Sequence, residues 1–157
     1  MNITVRLLEE KEIPQLAEVF MRSFNASAFE EKWTQETAEV FLNHFFKKQP
    51  DLFFVAVADS KIVGGAVTEI TPYWFGNMME KSELFVDPDF QNKGVSKKLL
   101  QTLLSESIKK YQATVFSGIT TTKAEFPLSW YKKIGMKETD LVYIEGKPEE
   151  VLKKLEE

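Results

Sequence analysis

The 157-residue chain has no cysteine. That excludes a disulfide framework, a thiolate metal site and a covalent cysteine intermediate. Its one histidine, His44, excludes a multi-histidine metal cluster, so no metal is expected. Basic residues are not in excess: 20 Lys and Arg face 24 Asp and Glu, for a formal charge of −4. A nucleic-acid binder needs a net basic face, so nucleic acid is not expected as a partner. No apolar run approaches the roughly 18 residues of a membrane span. The opening MNITVRLLEE lacks the basic and apolar stretches of a signal peptide and reads as a first strand. The expectation is a cytoplasmic protein with no membrane partner.

What is present is a hydrophobic content of 43%, too high for a disordered chain. The length suits a single domain over 1–157 with one core. Residues 4–8 read as a strand. Ile13, Leu16, Ala17, Phe20 and Phe24 keep the three-four spacing of an amphipathic helix, with Pro14 harmless at its start. Thr34 is an expected N-cap for a second helix carrying Ala38, Phe41, Leu42 and Phe45. Strands are predicted over 52–58, 61–70 and 80–86. Gly64 and Gly65 mark a bulge or a close backbone approach in the second of these. A helix is predicted over 94–111, a strand over 113–119, a short helix over 127–134, a last strand over 137–144 and a terminal helix over 148–155. The order predicts an α+β (α/β mixed sheet) fold with helices on its faces.

One junction carries chemistry. In LFVDPDFQNKGVSKKLL the strand stops at Asp87-Pro88, and a lone Gly94 precedes the helix. Free backbone N–H groups at a helix start, with its dipole, form an anion site. Gly94 lets a ligand approach closely, Ser96 is small, and Lys93, Lys97 and Lys98 add positive charge. The stretch has neither the Lys-Ser/Thr pair of an ATP-binding loop nor the three glycines of a dinucleotide fold.

The same stretch resembles the coenzyme A motif of the GCN5-related N-acetyltransferase (GNAT) family. Gln91, Gly94 and the Val86-Asp87-Pro88 corner match, while Ser96 stands where Gly or Ala is usual. WYKKIGMK, residues 130–137, resembles a second family motif through Tyr131, Gly135 and Met136. Ala124 and Pro127 stand where that motif often has Asn and Ala upstream. The resemblance implies a GNAT-like central, largely antiparallel twisted sheet with helices on both faces. It also implies an acetyl-CoA-dependent N-acetyltransferase that moves an acetyl group to a primary amine of a small molecule or peptide by direct transfer in a ternary complex. The alternative is a non-catalytic acyl-CoA-binding regulatory or sensor domain. The resemblance allows a homodimer. It implies two closing strands, of which only residues 137–144 look strand-like.

The resemblance further assigns roles. The cofactor would lie on Leu84, Phe85 and Val86 and on Gln91, Asn92, Lys93, Gly94, Val95, Ser96 and Lys97. Tyr131 would protonate the leaving thiolate. A phenol near pKa 10 and a thiol near 8.5 make that step uphill by only about 2 kcal/mol. Glu80 and Glu83 are the candidate bases, with Glu69 a third choice. Three positions apart, Glu80 and Glu83 fall on opposite faces of a regular strand unless a bulge intervenes. Phe29, Trp33, Tyr73 and Trp74 are the candidate acceptor-lining residues, with Phe75 beside them. His44 is expected to pack or face solvent.

Overall fold

Strands buried on both faces read as continuous apolar runs, and FFVAVA is such a run. In the structure, a computed structural model that describes residues 2–156, it forms β2 (Phe53–Ala58) inside a five-stranded sheet. The other strands are β1 (Ile3–Leu7), β3 (Lys61–Tyr73), β4 (Gly76–Val86) and β5 (Ala113–Phe116). They lie in sequence order, with β1 to β4 antiparallel and β5 parallel to β4. The described residues fall into two compact units, one running to Ala124 and one from Glu125.

Alternation along each strand sorts side chains between two cores. Phe53, Val55, Val67 and Phe85 point to one face, against Leu16, Ala17 and Phe20 of α1 (Ile13–Asn25) and Leu42 and Phe45 of α2 (Gln35–Lys48). Phe54, Ala56, Ala66, Met79 and Val86 point to the other, against Leu99 and Leu103 of α3 (Val95–Tyr111). Each such side chain contributes about 1.5–3 kcal/mol by leaving water. α2 starts where its sequence indicates. The Thr34 hydroxyl accepts from Thr37 N–H at 3.2 Å, and Thr37 Oγ1 accepts from Thr34 N–H at 2.9 Å.

The second unit contains α4 (Leu128–Lys133) and α5 (Pro148–Leu155). Two sequence expectations change. The strand expected over 113–119 ends at Phe116, and residues 137–144 form none. Leu141, Val142, Tyr143 and Ile144 are all exposed. β-propensity makes a strand only where a ladder partner exists, and this segment has none among the described residues.

The Gly64-Gly65 pair is a close approach. A Cβ on Gly64 would lie 2.7 Å from the Phe85 carbonyl oxygen, and one on Gly65 would lie 2.6 Å from Phe85 Cζ. The Gly64 clash is with backbone and cannot be relieved by a rotamer. Gly64→Ala is therefore expected to destabilise the fold by about 1–3 kcal/mol, read as a lower urea midpoint at unchanged m-value.

Candidate functional site

The β3–β4 ladder breaks register once. Val67 faces Glu83 and Glu69 faces Glu80, so Lys81 and Ser82 together oppose Thr68. Lys81 takes a left-handed φ of +48°. This is a β-bulge, with one extra residue and a local bend. It places Glu80 and Glu83 on one face, the face of Val67 and Phe85. No glycine marks the position, so the sequence carries no direct signal for it.

Beside the bulge, β4 loses its other neighbour. Pairing with β5 covers Asn77, Met78 and Met79 and then stops. The Met79 carbonyl is capped by Ser117 N–H at 2.9 Å and Ser117 Oγ at 3.1 Å. Downstream, Asp87 N–H donates to the Val63 carbonyl of β3 at 2.9 Å. Strand alternation then turns the backbone groups of Val86 and Leu84 outward and those of Phe85 toward β3. The Gln91 amide supports this by donating to the outward Val86 carbonyl at 3.2 Å. An open strand edge therefore runs over Leu84–Val86.

That edge leads into the anion loop. A short turn, Pro88–Phe90, follows Asp87, and Gly94 caps α3 with a φ of +80° and no atom within 4 Å of its would-be Cβ. The first helical bond runs from Lys98 N–H to Gly94 O at 3.2 Å. The N–H groups of Val95, Ser96 and Lys97 thus have no acceptor inside the helix. Of the nearby lysines, Lys98 reaches back to the Ile3 carbonyl at 3.0 Å and Lys93 bonds the Asp89 carbonyl at 2.8 Å. Lys97 makes neither kind of contact. A tie that sequence reasoning missed braces the corner: Arg22 of α1 bonds Asp87 at 2.8 Å and Asp89 at 3.0 Å. Only the fold brings these residues, 65 and 67 positions apart, together.

The carboxylates differ sharply in surroundings. Burial pushes the Glu83 carboxyl up to about 7, and the negative charge of Glu31 adds to the shift. Glu31 accepts a hydrogen bond from the Trp33 indole, and Trp33 packs edge-on against Phe20, 5.0 Å between ring centres. Phe29 lies in the same α1–α2 loop, against Phe24. Glu69 is 8% exposed and has Lys81 at 3.3 Å and Lys48 at 3.8 Å, with the His44 ring at 3.7 Å. Tyr73 and Trp74 sit at the β3–β4 hairpin tip, where Trp74 is 88% exposed. That tip is at the opposite end of β4 from Val86, about 30 Å along the strand. Tyr131 lies in α4, in the second unit.

Residues 14–136 match the model of the acetyltransferase (GNAT) family. The chain belongs to that family. An uncharacterized N-acetyltransferase of Methanocaldococcus jannaschii is 22% identical over 146 residues, which cover 88% of this chain and 62% of the relative's own length. The crystal structure of PH1933 from Pyrococcus horikoshii OT3 shares 27% identity at a TM-score of 0.72, covering 91% of this chain and 94% of that one. The aminoglycoside N-acetyltransferase AAC(6')-Iy, in complex with a bisubstrate analog of coenzyme A, has the same fold. Its TM-score is 0.70 at 18% identity, covering 94% of this chain and 99% of that one.

The raised Glu83 carboxyl has a consequence for stability. Between pH 4.5 and about 7 the folded chain holds a proton there that the unfolded chain has released. Stability attributable to this group is therefore full at low pH and falls as pH rises through that window. Glu83→Gln removes the charge, so it is expected to gain on the order of 2 kcal/mol relative to wild type at pH 8 and close to nothing at pH 4. Urea unfolding at the two pH values measures the difference.

Proposed function

We infer that this chain is an acetyl-CoA-dependent N-acetyltransferase that acetylates a primary amine of a small molecule or peptide by direct transfer in a ternary complex. The observation that carries the reading is the open β4 edge running into the glycine-capped start of α3. An extended pantetheine arm has amide groups to pair with the outward groups of Leu84 and Val86. A pyrophosphate suits the N–H groups of Val95, Ser96 and Lys97, at the positive end of the helix dipole. A side chain at position 94 would fill the approach that glycine leaves open. Gln91, Asn92 and Lys93 complete the loop. The AAC(6')-Iy complex with a coenzyme A analog supports a cofactor of this chemistry.

The transfer needs a neutral amine. A carboxyl near pKa 7 is matched to that task, because it takes a proton at neutral pH without being saturated. Glu83 is thus the favoured base over Glu80, which shares its face. The amine nitrogen attacks the thioester carbonyl, and its proton passes to Glu83. An outward N–H of Leu84 or Val86 stabilises the oxyanion. The carbon–sulfur bond breaks, and Tyr131 gives its phenolic proton to the thiolate. Phe29 and Trp33 flank the acceptor, with Glu31 attracting its cationic form.

Thiol release from acetyl-CoA in the presence of a panel of primary amines tests the reading. Turnover with at least one amine is expected, and coenzyme A binding with none turned over would favour a sensor domain. Tyr131→Phe is expected to lower kcat about 100-fold while leaving the calorimetric affinity for coenzyme A unchanged. An unaltered kcat removes Tyr131 from the acid role. Gly94→Ala, which adds only a Cβ at a positive φ, should weaken coenzyme A binding, read by calorimetry on protein whose circular dichroism matches wild type.

A further inference from the structure

Lys81 holds a φ of +48° in mid-strand, although it is not glycine. Such a backbone persists only where its neighbours over-determine it. Two contacts do so, one on each face of β3. On the face of α2, the Lys81 ammonium is 3.3 Å from Glu69 Oε2 and donates to it. Glu69 is buried, and a carboxylate at that depth requires a cation. His44 and Lys48 stand farther off, and Glu80 lies opposite across the ladder. Among the described residues Glu69 Oε1 has no hydrogen bond, and the Lys81 ammonium supplies the hydrogen bond to Oε2. On the other face Thr68 is fully buried. Its hydroxyl meets Ser82 Oγ at 2.8 Å and the Glu80 carbonyl at 3.3 Å. The residues before, in and after the bulge are therefore tied to two adjacent residues of β3.

We propose that Glu69 and Thr68 are positioning residues for acetyl transfer: through Lys81 and Ser82 they hold the extra residue of β4, which keeps Glu80 and Glu83 on one face and turns the Leu84–Val86 edge away from β5. The role rests on the acetyltransferase reading, whereas the bulge and its ties are read from the ladder alone. Neither residue reaches the reacting atoms. Both act through the shape of β4.

Two readouts that need no acceptor test this. One is the titration midpoint of the Glu83 carboxyl, followed by carbon NMR of glutamate-labelled protein. The other is the calorimetric affinity for coenzyme A. Lys81 is exposed, so Lys81→Met folds and removes one of the two ties on the left-handed backbone. It is expected to let water reach Glu83, lowering its midpoint by about one pH unit, and to weaken coenzyme A binding about tenfold. Lys81→Gly, free to adopt positive φ, restores both toward wild type. Thr68→Val follows Lys81→Met, while Thr68→Ser keeps the hydroxyl and the wild-type values. Glu69→Gln weakens coenzyme A binding as Lys81→Met does, and the double variant is no weaker than either single one.

A lysine acting by charge alone gives the opposite sign. Removing a cation raises a neighbouring carboxyl midpoint, and Lys81→Gly then matches Lys81→Met. That pattern overturns the proposal, as does an unmoved Glu83 midpoint in folded Lys81→Met and Thr68→Val. Additive losses in the double variant also overturn it. A wild-type protein that binds no coenzyme A refutes the acetyltransferase reading instead, and the Glu83 midpoints still decide the bulge.

Discussion

One extra residue in β4 sets the geometry on which the candidate site depends. A regular antiparallel ladder would carry β4 past β5 as a flat edge and split Glu80 from Glu83. With Lys81 inserted, β4 bends where its pairing to β5 ends, at Met79. Both carboxylates then share the face of α1 and α2, and the backbone beyond them is left to pair with something other than a strand. The bulge separates the half of β4 that pairs with β5 from the half whose outward backbone groups do not.

The sheet cannot slide to remove that irregularity. It is buried on both faces, so a one-residue slip would exchange Met79 with Glu80, or Phe85 with Leu84, between two packed cores. Each displaced large side chain forfeits about 1.5–3 kcal/mol. Gly64 and Gly65 lock the downstream register as well, because only residues without Cβ fit against Phe85. The core on both sides thus forces β4 to keep its extra residue in one place, and local ion pairing and hydrogen bonding decide the shape it takes there.

Electrostatics divides the carboxylates of this face into two kinds. Glu69 and Glu83 are two ladder steps apart on the same side of the sheet. Glu69 faces the ammonium groups of Lys81 and Lys48, which suits an anchor. Burial and the negative charge of Glu31 push the Glu83 carboxyl up to about 7. A carboxyl tuned that way is suited to exchange protons at neutral pH. The anion loop is braced separately, with Arg22 joining α1 to both Asp87 and Asp89 just before the helix start. The Glu83 carboxyl and the loop before α3 are therefore held by different contacts, although both sit on β4 and its continuation.

Much was legible in the sequence because its signals are local. The spacing of Leu16, Phe20 and Leu42 marks helix faces, the apolar run over 52–58 marks a strand, and Gly94 after Asp87-Pro88 marks a helix start able to take an anion. A motif of this kind is written in neighbouring residues, so composition and order suffice to read it. The bulge was not legible, since Lys81 is an ordinary residue whose left-handed backbone is imposed by Glu69, twelve positions away. Arg22 and Asp87 met only through packing. The segment at 137–144 has the apolar content of a strand but found no ladder among the described residues, and a strand needs its partner. The sequence by itself determined the family, the helices and the glycine-led start of α3. Only the tertiary structure decided which carboxylates share a face and which of them keeps its proton, because strand register and burial are properties of chain segments brought together from afar.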